Sequence, residues 1–281
     1  MASRPVVVAV DGSEESLRAA EWAAIAARKH RATLRIVSVP ASLPRLYAVD
    51  VSQEMAANAL RGLAARALGA AVRRVRIVAS DLDAETGLLR GEAPFAVAEA
   101  GTGAAMLVVG ARGAGGFGSM MLGSVSRYAS AHAPCPVVVV REPLAGARRE
   151  IAVGVQDAEQ SSDALAFGLD EAESRGAELT AVHAWTWFDN SLGIPVGDAS
   201  EKAADRLAKA LAPWRDKYPG VPLRSEIVHG HPAWVLASYT ARAELVVLGR
   251  RPVASGSGIA SIRQTVLSNA SGPVAVVPAG T

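Results

Sequence analysis

The stretch Val6-Val7-Val8-Ala9-Val10-Asp11 returns later in the chain as Ile151-Ala152-Val153-Gly154-Val155-Gln156. Both are short, unbroken apolar runs that end on a polar residue, as expected of a strand covered on both faces. The match continues outward. Thr33–Val39 corresponds to Glu178–Ala184 at the same offset of 145, Leu107–Gly110 to Val246–Gly249, and Pro136–Val140 to Pro273–Val277. The offset shrinks along the chain, which puts small loop deletions in the second copy. A repeat of this length is a whole domain rather than a solenoid unit, and 281 residues is a natural length for two domains. We place the domains at 1–143 and 148–281, joined near 142–149 by a short linker with Pro and Gly.

Within each copy, apolar runs alternate with helical patterns. The first copy reads as strands over 5–10, 33–39, 73–79, 105–110 and 136–141, with helices over 14–30, 52–68, 92–100 and 122–132. Ser13 is suited to cap the first helix, with Glu14 and Glu15 in the first turn where the helix dipole favours anions. In the second helix Met55, Ala56, Leu60, Leu63, Ala64 and Ala67 recur at helical spacing and predict its buried face. Arg73-Arg74-Val75-Arg76 alternates like a strand with one solvated side. The second copy reads as strands over 150–155, 178–184, 222–228, 244–249 and 273–277, with helices over 160–175, 200–217, 233–241 and 261–269. Strand–helix alternation with apolar strands and right-handed crossovers means α/β domains, each a doubly wound five-stranded parallel sheet. Such sheets bind ligands at the carboxyl ends of their strands, where the winding reverses.

Composition narrows the partners. Half the residues are hydrophobic and net charge is +2, which argues against nucleic acid and against an anionic membrane surface. The N-terminus lacks a signal-peptide pattern and no apolar run approaches a bilayer's ~20 residues, so a cytoplasmic location is expected. The single cysteine, Cys135, precludes an intramolecular disulfide and is expected to be a packed or turn thiol.

The fourth strand of the first copy leads into Gly110-Ala111-Arg112-Gly113-Ala114-Gly115-Gly116-Phe117-Gly118-Ser119, and Gly123-Ser124-Val125-Ser126 opens the next helix. Glycines bring bare backbone N–H groups close to a ligand. A helix N-terminus adds unpaired N–H groups and partial positive charge. Ser124 and Ser126 add hydroxyls, and Arg112 adds a guanidinium able to fork onto phosphate. A P-loop is excluded because no Gly-Lys-Ser/Thr triplet is present. Gly113, Gly115 and Gly118 match the dinucleotide fingerprint in letters alone, after the fourth strand rather than the first.

The full spacing Gly110-x2-Gly113-x9-Gly123-Ser124, the Val10-Asp11-Gly12-Ser13 end of strand one and the Cys135-Pro136-Val137 opening of strand five resemble the universal stress protein family, in its tandem two-domain, ATP-binding form. The resemblance spans nearly the whole chain, twice. It implies a Rossmann-like fold related to the adenine nucleotide alpha hydrolases. It also implies ATP as ligand, with Mg²⁺ accompanying the triphosphate. By the same resemblance Asp11 and Gly12 lie near adenosine, and Val39 lends main-chain contacts to adenine. Gly110, Arg112 and Gly113 serve ribose and phosphate, and Gly123, Ser124, Val125 and Ser126 hold the outer phosphates. A homodimer is implied through the last strand. Asp11 also suits a turn before the helix.

The second copy departs from this pattern. Gln156 replaces Asp11, Pro252 replaces Gly113 and Ala260 replaces Gly123, so it is expected to bind ATP weakly or not at all. Trp185 and Trp187 follow its second strand. Packing in the core or at an interface is the expected role for these and for Trp214 and Trp234, with an aromatic-lined small-molecule site at Trp185 and Trp187 the alternative, and His183, His229 and His231 are expected to lie on the surface or to cap helices. With no general base beside the outer phosphates, the expectation is a binding and signalling module with slow or no hydrolysis. The alternatives are a nucleotide-independent scaffold and, less favoured, an adenylate-forming enzyme, for which the paired glycines after strand one are missing.

Overall fold

Valine-rich strands and alanine-rich helices build both copies. The computed structural model describes residues 4–41, 53–113, 122–141, 148–186, 196–250 and 259–280. The chain divides into two units, Met1–Arg141 and Glu142–Thr281.

In unit 1 the elements run β1 (Val6–Ala9), α1 (Glu14–Lys29), β2 (Leu34–Ser38), α2 (Gln53–Val78), β3 (Ala84–Leu88), α3 (Ala93–Glu99), β4 (Met106–Gly110), α4 (Ser124–His132) and β5 (Val137–Val140). The strands lie in the order β3-β2-β1-β4-β5, and their pairings are all parallel. The winding reverses between β1 and β4, where Val6 sits beside Met106 and Ala9 beside Val109. Helix α1 crosses β1, β4 and β5 and packs along α2, while α3 packs on α4. The face of α1 is built of Ala19, Ala20, Ala23, Ala24, Ala26 and Ala27, all fully buried. Residues this small let the helix lie close on the sheet and lose no side-chain entropy.

Unit 2 repeats the order: β6 (Arg148–Gly154), α5 (Ser162–Arg175), β7 (Glu178–Trp185), α6 (Val196–Lys217), β8 (Leu223–His229), α7 (Pro232–Tyr239), β9 (Ala243–Arg250), α8 (Ile259–Asn269) and β10 (Val274–Pro278). Its strands lie as β8-β7-β6-β9-β10, again in parallel. Here α5 comes so close to β6 that a Cβ on Gly168 would stand 2.6 Å from Val153 Cγ2. Glu171, fully buried on α5, accepts from Arg175 Nε and Nη2 at 2.8 and 2.7 Å, and Arg175 Nη1 reaches Glu244 at 2.6 Å.

Three expectations are corrected. The stretch 73–79 is no strand: α2 continues to Val78, and β3 lies later, at Ala84–Leu88. Leu68, Ala71, Val75 and Ala79 are buried at helical spacing. Arg74 points back to Glu21 and Glu14 of α1. Second, Met55 and Leu63 are exposed, and the buried side of α2 is Ala64, Ala67, Leu68, Ala71 and Val75. Third, Arg148 and Arg149 belong to β6 rather than to the linker; residues 142–147 lie outside the described residues.

Candidate functional site

Unit 1 brings two loops together at the winding reversal. The first follows β1. Asp11 Oδ1 accepts from the Ser13 N–H at 3.0 Å and from the Ser13 hydroxyl at 2.6 Å. Ser13 Oγ in turn accepts from the Ser16 N–H at 3.3 Å and so caps α1. Ser16, buried, donates to the Ser13 carbonyl at 2.9 Å and accepts from the Asp11 N–H at 3.3 Å. This closed set of bonds is the turn that Asp and Ser favour before a helix. Gly12 completes it at φ +87°, a conformation that a side chain disfavours.

The second loop follows β4. Gly110 lies directly beneath the first turn of α1: a Cβ there would stand 2.9 Å from the Glu15 carbonyl carbon and 3.0 Å from Ser16 N. Gly113 meets Asp11 so closely that a Cβ would overlap the Asp11 carboxylate. The two loops therefore touch through a glycine and an exposed carboxylate. Buried Ser126 on α4 donates to the Gly110 carbonyl at 2.6 Å, and the Gly123 N–H donates to the Ala111 carbonyl at 2.8 Å. These bonds fix the start of α4 against the end of β4. Gly123 is the N-cap of α4, and no described side chain caps this helix. Its first turn, Ser124 (exposed), Val125 (half-buried) and Ser126, thus carries the partial positive charge of a helix N-terminus at the loop. Val39 is half-buried just past the end of β2. Residues 114–121 lie outside the described residues.

Sequence reasoning missed one site residue. Glu15, in the first turn of α1, accepts from the Arg112 backbone N–H at 2.7 Å and from Arg112 Nε at 2.7 Å, and Arg112 Nη2 contacts the same carboxylate. Glu15 holds the Arg112 guanidinium above its ordinary pKa. Arg141, at the end of β5, is pushed below its ordinary value by burial; Glu15 opposes that shift and Arg112 adds to it. An acidic residue in the loop after one strand and an arginine in the loop after another was a signal of charge pairing, but sequence alone does not join them.

Unit 2 keeps the scaffold and changes the chemistry. The Gln156 N–H donates to Ser161 Oγ at 3.0 Å, repeating the Asp11–Ser16 bond, and the Asp157 carboxylate accepts from the Gln160 N–H at 2.8 Å. Gln160 stands where Glu15 stands in unit 1, and Pro278 where Arg141 stands. At this place unit 2 has a cavity of about 340 Å³ lined by Glu159, Gln160, Asp163, Gly249, Arg250 and Pro278, among others. Pro252, Ala260 and Trp187 lie where no side chain is described. Trp234 is 60% exposed and so takes no part in the core of unit 2; Trp185 meets the His229 ring edge-on at 4.8 Å. His231 caps α7, accepting from the Ala233 N–H at 3.2 Å, as expected of these histidines. Cys135 is buried, as expected.

Two tandem doubly wound α/β units, with touching loops at the ends of the first and fourth strands of unit 1, define a Rossmann-like protein of duplicated type. The family model described as the universal stress protein family matches residues 2–141 and again 147–278. A universal stress protein of Mycobacterium tuberculosis is 35% identical over 96% of this chain and 96% of its own length. One from Mycolicibacterium smegmatis is 30% identical over 97% of this chain and 96% of its own. A crystal structure of a universal stress protein from Archaeoglobus fulgidus covers 99% of this chain and 97% of its own, at 17% identity and TM-score 0.72. The chain belongs to the universal stress protein family.

Proposed function

We propose that unit 1 binds an adenine nucleotide, ATP in the first instance, and that the protein acts as a nucleotide-dependent stress-signalling module rather than as a rapidly turning-over enzyme. The observation that carries this is the meeting of Gly113 with the Asp11 carboxylate beside the start of α4. It sets a carboxylate suited to ribose hydroxyls beside N–H groups suited to phosphate. Asp11, Gly12 and Val39 form the adenosine side. Gly110, Arg112 and Gly113 take the ribose and inner phosphate, and Gly123, Ser124, Val125 and Ser126 take the outer phosphates, Ser126 by its main-chain N–H alone, because its hydroxyl is donated to the Gly110 carbonyl. A Mg²⁺ ion would accompany the triphosphate as its counter-ion, held by the phosphates themselves, since the described residues contain no cluster of carboxylates and histidines able to hold a metal. Unit 2, with Gln156 and Pro252 in place of Asp11 and Gly113, binds ATP weakly or not at all. Self-association as a homodimer belongs to the same proposal and is tested by sedimentation.

The test is the nucleotide content of protein purified without added nucleotide, read by mass and ultraviolet spectrum after denaturation. About one ATP per chain supports the proposal. Two refute the reading of unit 2. None, together with no thermal shift in millimolar ATP, refutes nucleotide binding and favours a nucleotide-independent scaffold.

A further inference from the structure

The Glu15–Arg112 contact lies inside the loop proposed to hold ribose and phosphate, and its role in binding rests on that reading. Both oxygens of the Glu15 carboxylate are committed to Arg112, one to its backbone N–H and one to its Nε. Half-buried Arg141 feels the same carboxylate. Glu15 thus presents to the Arg112 guanidinium the charge and geometry of a ligand's phosphate oxygens. The internal repeat indicates what this arrangement is for. Unit 2 retains the strand order, the glycine ending the fourth strand (Gly249) and the serine bond behind the first loop (Ser161). It has lost Glu15 to Gln160, Arg141 to Pro278 and Gly113 to Pro252 together. A pairing required by the fold would have kept its carboxylate; here the charge of Glu15 departs with the glycine of the loop, while Arg251 stands where Arg112 stands.

We infer that Glu15 is a positioning residue that competes with ligand phosphates for Arg112, and so sets how strongly unit 1 distinguishes nucleotides by the number of phosphates they carry. A phosphate that approaches Arg112 must either displace the carboxylate or share the guanidinium with it. In both cases the negative charge of Glu15 opposes binding, and it does so more for each phosphate added. Adenosine meets no such opposition.

The experiment uses the full chain and measures dissociation constants for adenosine, AMP and ATP by calorimetry, for wild type, Glu15→Gln, Arg112→Gln and the double variant. Glu15→Gln is expected to tighten ATP about tenfold and AMP less, and to leave adenosine within about twofold. The double variant loses that gain, so the two substitutions couple for ATP and not for adenosine. A change by one common factor for all three ligands, or a weakening of ATP, overturns the inference and makes the pair structural. Should Glu15→Gln fail to fold in a thermal scan, Glu15→Ala takes its place in the same titrations. A raised ratio of ATP to adenosine affinity supports the inference, and an unchanged or lowered ratio overturns it. Wild-type protein that binds none of the three ligands removes the nucleotide assignment itself; wild-type binding with a fixed ratio removes only the role of Glu15.

Discussion

Adding one methyl group at the end of β4 separates the two copies. In Gly110→Ala the new Cβ would stand 2.9 Å from the Glu15 carbonyl carbon, 3.0 Å from its oxygen and 3.0 Å from Ser16 N. These are backbone atoms in the capped first turn of α1, so no side chain can swing aside. The turn must retreat by about 0.5 Å to reach ordinary contact near 3.4 Å. Overpacking of this kind costs about 1–3 kcal/mol, while alanine returns about 0.4–1 kcal/mol by restricting the unfolded chain. A net loss of about 1–2 kcal/mol results, or about 3–7 °C in the unfolding temperature of a unit this size. The matched glycine of unit 2 supplies the control. A Cβ on Gly249 would find the Gln160 carbonyl at 3.6 Å and the Ala164 Cβ at 3.9 Å, which is ordinary contact. Gly249→Ala is therefore expected to be neutral or to stabilise by about 0.5 kcal/mol. Scanning calorimetry of the full chain, with each variant beside wild type, reads both. Equal shifts for the two variants, or no loss in Gly110→Ala, would refute the reasoning from clearance.

The same geometry sets other outcomes. Ser126→Ala removes the donor to the Gly110 carbonyl and is expected to cost about 1–2 kcal/mol in a denaturant titration. Gly113→Ala, whose Cβ would overlap the Asp11 carboxylate, is expected to weaken adenosine and ATP alike by tenfold or more in calorimetric titration. Arg175→Met leaves Glu171 buried without its guanidinium and is expected to cost about 3–5 kcal/mol in unit 2, read by the same denaturant titration. The phenols of Tyr218 and Tyr239 are held above the ordinary tyrosine value, first by burial and then by hydrogen bonds to Asp170 and Glu226. A group whose pKa rises on folding contributes stability that is complete below its unfolded pKa and lost above it. Stability of unit 2 should therefore fall as pH rises beyond about 10, and Tyr218→Phe should flatten that fall in an alkaline denaturation series.

The duplication and the order of strands and helices were legible because apolar β-branched runs have few other uses. The α2–β3 segment was not. Its helix runs on through Arg73-Arg74-Val75-Arg76, whose alternation mimics a strand, while the true strand, Ala84-Glu85-Thr86-Gly87-Leu88, is a half-exposed end strand without an apolar run. Unit 2 lacks this ambiguity because Pro219 and Gly220 end α6 before β8. In the site, the glycines and Asp11 were legible from spacing. The exposure of Met55 and Leu63 was not, because helical spacing names a stripe without saying which side the sheet covers. The Glu15–Arg112 pair was not legible either, since it joins residues 97 positions apart.

The all-alanine underside of α1 has a mechanical consequence. Side chains with no rotamers to exchange cannot absorb a displacement one residue at a time, so the helix transmits it as a rod. At 16 residues it is about 24 Å long. Three ties join that rod to α2: Arg74 holds Glu14 in its first turn and Glu21 midway, and Arg28 at its far end donates to the Val78 carbonyl at 3.3 Å, so α1 and α2 shift together or not at all.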